Sequence, residues 1–76
     1  MPNKILSLSK RIVDFLMEYN PYDAPYEDEV TEMEQALWDV KRRRGIAADL
    51  KGMAEYHEDD VLAYKASMLW REVIAL

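Results

Sequence analysis

The stretch from Glu27 to Gly45 reads E-D-E-V-T-E-M-E-Q-A-L-W-D-V-K-R-R-R-G, with acids at its front and bases at its rear. A helix macrodipole favours that order, by about 0.3–1 kcal/mol for each well-placed charge. Val30, Met33, Leu37 and Val40 recur at spacings of three and four, which places them on one helical face. Gly45 is then a stop or a bend. The expectation is a central helix over this stretch, with the other segments packed against it.

A chain of 76 residues is at most one domain, residues 1–76. At that size only about 60% of the unfolded surface is buried, so stability is marginal. Cysteine is absent. That removes disulfides, thiolate catalysis and cysteine-type zinc sites, and suits a reducing compartment. Half of the residues are hydrophobic, including two Trp and five Met. So much apolar surface on so short a chain calls for a second copy or a partner to cover some of it. The net charge of −5 works against non-specific binding to nucleic acid or anionic membrane. No apolar run approaches the ~20 residues of a membrane span. Polar residues interrupt the first eleven positions too often for a signal peptide. The expectation is a soluble cytoplasmic protein, without a role at the membrane. Two Gly, three Pro and scattered β-branched residues argue against sheets.

Ile5, Leu8, Ile12, Phe15 and Tyr19 follow a 3-4-3-4 pattern, widened by Leu16, and predict a first helix over Lys4 to Tyr19 with Asn3 as its N-cap. Pro21 ends it at Asn20. The connector from Asn20 to Tyr26 contains Pro21 and Pro25 and makes the first two helices antiparallel neighbours. After Gly45 the apolar phase shifts. Ile46, Leu50, Met53 and Ala54 keep a helical rhythm on a stripe rotated by about a third of a turn. Two readings are open: a break at Gly45 followed by a short helix from Ile46 to Tyr56, or one long helix with two contact faces. Asp59 or Asp60 caps a last helix from Val61 to about Ala75. Its seam is Leu62, Ala66, Leu69, Val73 and Leu76, and Val61, Tyr64, Met68 and Trp70 broaden it beyond one face. A helix so apolar is central to a bundle or lies at an interface. The fold expected is therefore all-α: a small three-helix bundle, its middle helix kinked or broken near Gly45 to give a fourth short helix.

Four features carry functional weight. His57, the only histidine, is flanked by Glu55, Glu58, Asp59 and Asp60. It suits a metal ligand or general base, or simply a solvated hinge. Glu29 and Glu32 stand one turn apart, as do Glu55 and Glu58. Paired E-x-x-E motifs on facing helices can hold Mg²⁺ on a nucleoside triphosphate. This arrangement resembles that of the all-α pyrophosphohydrolases of the MazG type, whose second motif ends in Asp where this chain has Glu58. The resemblance implies an alternative function, a Mg-dependent nucleotide pyrophosphohydrolase using Glu29, Glu32, Glu55 and Glu58.

The basic run Lys41 to Arg44 supports a second alternative, association with nucleic acid. Four successive cations point all around a helix and form no groove-reading stripe, and the chain is acidic, so direct nucleic-acid contact is disfavoured. Tyr19, Tyr22, Tyr26 and Trp38, with Arg42 and Arg43, are the residue types enriched in interface hot spots and form the expected partner-binding set. No phosphate-binding Gly loop and no nucleophile–base set are present. The sequence leads to a non-catalytic protein–protein interaction module, acidic and helical, without cofactor or bound metal. It binds and in one form inhibits a partner protein, and it self-associates through the last helix into a homodimer. So short and acidic a chain suits a phage- or mobile-element-encoded inhibitor by association.

Overall fold

The computed structural model describes residues 3–19 and 25–76. Four helices follow one another: α1 (Lys4–Tyr19), α2 (Tyr26–Trp38), α3 (Val40–Tyr56) and α4 (Asp60–Ile74). There is no strand among the described residues. The all-α fold is as expected, and the fourth helix is a full one. α2 has 13 residues and α3 has 17, where a long middle helix with a short tail was expected.

The break falls at Asp39, six positions before Gly45, and this corrects the expected central helix. Asp39 adopts an extended conformation, φ −90° and ψ 114°. Its Oδ1 accepts from the backbone N–H of Lys41 at 3.0 Å and of Arg42 at 3.4 Å. These are N-cap bonds, which satisfy donors that a new helix leaves without intrahelical partners. Gly45 sits inside α3 instead of ending a helix. The phase shift seen after Gly45 is real, but its cause lies upstream. Once Asp39 restarts the helix, Leu50 is buried and Ile46, Ala47, Met53 and Ala54 pack against the core. Val40, expected on the stripe with Leu37, is instead exposed.

The other caps follow the sequence. Asn3 Oδ1 accepts from Leu6 N–H at 3.1 Å. Asp59 Oδ1 accepts from Val61 N–H at 2.9 Å and from Leu62 N–H at 3.2 Å. Each helix packs on two ring neighbours: α1 on α2, α2 on α3, α3 on α4 and α4 on α1. The pairings set direction. Arg11 meets Glu72 and Glu18 meets Lys65, so α4 runs against α1. α2 and α3 are joined by Asp39 alone, contact each other and line one depression over successive turns of each, so α3 doubles back along α2. The result is an up-down-up-down bundle.

Its core is Ile5, Leu8, Ile12 and Phe15 of α1, Leu37 of α2, Leu50 of α3, and Ala66, Leu69 and Val73 of α4. Val13 and Ser9 are also buried, beyond the expected stripe of α1. The Ser9 hydroxyl donates to the Ile5 carbonyl at 2.6 Å, which removes the cost of an unsatisfied buried polar group. Trp70 packs against the core with the Lys51 ammonium 5.6 Å from its ring centroid. Among the described residues no helix is long and apolar enough to cross a membrane.

Candidate functional site

The bundle topology sorts the charges by end. Its acidic end collects the last turn of α1 (Glu18), the first turn of α2 (Glu27, Asp28), the last turn of α3 (Glu55), the α3–α4 turn (Glu58, Asp59) and the start of α4 (Asp60). The other end collects Lys41, Arg42, Arg43 and Arg44 from the start of α3, and Arg71 from the last turn of α4. A chain of net charge −5 thus presents one basic end.

The expected partner-binding residues divide between these ends. Tyr19 and Tyr26 belong to the acidic end, while Trp38, Arg42 and Arg43 belong to the basic end. Twelve residue steps separate Tyr26 from Trp38 in α2, about 18 Å along the axis. Tyr22 lies outside the described residues. Tyr19 is partly covered: its ring stacks with Phe15 at 6.2 Å and meets His57 edge-on at 4.9 Å. Tyr26 has Asp14 of α1 as its neighbour. Its hydroxyl pKa is raised above 10.0 by desolvation, by the hydrogen bond to Asp14, and by that carboxylate's charge. Both tyrosines spend part of their surface closing the bundle, as half-buried lids do.

The basic end is built differently. Trp38 closes α2 with 64% of its surface exposed, and Val40 opens α3 at 56%. Val40, Arg43, Arg44 and Ala47 of α3 line one depression with Val73, Ile74 and Leu76 at the end of the chain. Ile74 and Leu76 are exposed too. Arg43 is committed to the fold, because its Nε donates to the Leu37 carbonyl oxygen at 2.7 Å. Lys41, Arg42 and Arg44 are exposed.

The break at Asp39 reverses the electrostatic meaning of this run. Read as one helix, the cations sit at a C-terminus, where the macrodipole favours them. In the structure Lys41, Arg42 and Arg43 occupy the first turn of α3, where it disfavours them by about 0.3–1 kcal/mol each at low salt, and Arg44 follows in the next turn. Asp39 offsets part of this, and so does Arg43, whose cation lies at the C-terminal end of α2. Val40, Ile74 and Leu76 were missed by sequence reasoning as surface residues. Val40 and Leu76 each continue an apolar periodicity, Ile74 lies outside the α4 seam, and only the position of the break exposes Val40.

The remaining candidates take structural positions. His57 ends α3, and its Nδ1 accepts from Asp59 N–H at 2.9 Å inside the α3–α4 turn. The four glutamates of the E-x-x-E pairs are not brought to one place. Glu29 and Glu32 line a depression between α2 and α3 together with Arg42 and Asp49. Glu55 is six residues beyond Asp49, about 9 Å further along α3, and pairs with Lys51 at 3.9 Å. Glu58 lies past the end of α3. Among the described residues no three His, Asp or Glu side chains converge in a way that could hold a metal ion.

The comparisons with known proteins are silent: no protein-family model, curated protein or solved structure matches this chain.

Proposed function

We propose that this chain is a non-catalytic protein-binding module that docks through its basic end onto an acidic, apolar-centred surface of a partner protein. Trp38, Val40, Ile74 and Leu76 supply the desolvated centre, and Lys41, Arg42 and Arg44 supply the charged rim. The observation that carries this reading is the placement of two exposed cations, Lys41 and Arg42, on a helix N-terminal turn that disfavours them, with exposed Arg44 one residue beyond and a tryptophan left two-thirds exposed at the same corner. The cap at Asp39 offsets only part of the first feature, and the fold leaves the second uncovered. A carboxylate-bearing partner would relieve the first and cover the second.

An aromatic or aliphatic anchor ringed by arginine is the composition of a binding hot spot. The apolar residues at this end favour a protein over a nucleic-acid partner, whose contacts are dominated by phosphate. A binder this small acts by covering what it binds, so inhibition by masking follows from the reading. The test compares wild type with Trp38→Ala/Arg42→Glu/Arg44→Glu in affinity capture from the native cell, followed by titration with the purified partner. The triple variant should keep its helical content and lose the partner. Capture that depends on nucleic acid, and vanishes after nuclease treatment, would sink the protein-binding reading.

A further inference from the structure

We infer that α4 carries a second, independent interface whose occupant is another copy of this chain, bound antiparallel across a two-fold axis. The core seam of α4 is Ala66, Leu69 and Val73. A second apolar stripe, Val61, Tyr64 and Met68, lies on the opposite side, since Met68 and Ala66 are about 160° apart around the helix. These three residues are exposed, at 62%, 67% and 43%. The stripe runs into a groove between α1 and α4 that reaches Phe15 and Leu69. The apolar strip is edged on its α1 side by the charged residues of that groove, Arg11, Asp14, Glu18, Lys65 and Glu72.

The charges beside the strip select the occupant and its direction. On the α1 side, Lys65 pairs with Glu18 at 3.1 Å and Arg11 pairs with Glu72 at 2.6 Å. Of the charges on that flank, these four pair within one copy, and Asp14 is the fifth. The other flank carries Asp60 in the first turn of α4 and Arg71 in the last. They are eleven residues apart, about 16 Å along the axis, and cannot meet within one copy.

In an antiparallel pair, the same flank of each helix faces its counterpart. A two-fold that sets Met68 against Tyr64 of the other copy brings Asp60 within one residue of register with Arg71 of that copy. The symmetry makes the contact twice, because a two-fold interface is isologous. A parallel two-fold pair would instead set the Asp60–Arg71 flank of one copy against the Lys65–Glu72 flank of the other, whose charges already pair within one copy. One 15-residue helix offers a strip only about 22 Å long, so the dimer sits at the small end of specific interfaces and is weak.

The experiment is sedimentation equilibrium on the full chain over a concentration series, on wild type, Tyr64→Glu, Asp60→Arg, Arg71→Asp and the double charge swap. Wild type should move from 9.0 kDa towards twice that mass as concentration rises. Tyr64→Glu should weaken association by about tenfold or more with an unchanged circular dichroism spectrum. Each single charge change should weaken it by about tenfold or less, and the swap Asp60→Arg/Arg71→Asp should restore it. Because Asp60 and Arg71 are out of reach within one copy, rescue by the swap reports the contact between copies. A chain that stays monomeric at every concentration overturns the inference. So does a dimer that survives Tyr64→Glu, or one that the double swap fails to restore.

Discussion

Arg43 reaches back across the α2–α3 break and donates from Nε to the carbonyl oxygen of Leu37 at 2.7 Å. One cation thereby satisfies a carbonyl at the end of one helix while sitting in the first turn of the next. Leu37 itself is fully buried. The corner is thus tied to the core on one side and leaves Trp38 and Val40 in solvent on the other.

Asp39 is the residue that creates this corner. Asp39→Ala should lower stability by about 1 kcal/mol, the usual cost of losing an N-cap, measured by urea unfolding. Asp39→Asn keeps the accepting oxygen and should cost less. Equal stability of wild type and Asp39→Ala would mean that the cap does not hold the break.

Gly45 and Gly52 are both helical and both have open space where a Cβ would stand. Neither has a positive φ. Gly45→Ala and Gly52→Ala should each stabilise the fold by about 0.4–1 kcal/mol, chiefly by restricting the unfolded chain. Each should raise the melting temperature by a few degrees. A fall on either substitution would show a requirement for glycine that the backbone geometry does not reveal.

That prediction runs against the sequence reading of Gly45, and the reason is instructive. Glycine is a stop signal on average, and the apolar phase does change after it. The i, i+3, i+4 stripe from Val30 to Val40 passes through Asp39 without a visible fault, so the true boundary was hidden by a coincidence of spacing. Asp39 was the available signal, an N-cap residue type directly before an apolar residue. The stripes of α1 and α4, Asn3 and Asp59 as caps, and the four-segment order were all legible, because each rests on local periodicity or capping. The site was less so. Sorting charges and aromatics by end depends on where helices reverse, and moving one boundary by six residues carried the basic run from a helix C-terminus to an N-terminus.

The core and the basic end should separate cleanly under mutation. Leu37→Ala should cost about 2–5 kcal/mol, which unfolds much of a domain this small. Ile74→Ala, on the exposed end, should change stability by about 0.5 kcal/mol or less. A large loss from Ile74→Ala in chemical denaturation would mark that end as structural.

Tyr26 provides a pH marker. Its raised pKa means that the fold favours the neutral phenol. Its contribution is fully present below the unfolded value of 10.0 and is lost as pH rises through the higher folded value. In an alkaline titration of phenolate absorbance, a step above 10.0 should belong to Tyr26, and Tyr26→Phe should remove it. A single step near 10, unchanged by the substitution, would contradict the contact with Asp14.

The measurement that bears most directly on the account is quantitative capture of partners from the native cell, with wild type and Trp38→Ala/Arg42→Glu/Arg44→Glu side by side and their unfolding curves matched. The account predicts that wild type enriches an acidic protein whose recovery falls as salt rises, and that the triple variant recovers none of it. Equal recovery by both forms would contradict the basic end as the docking surface.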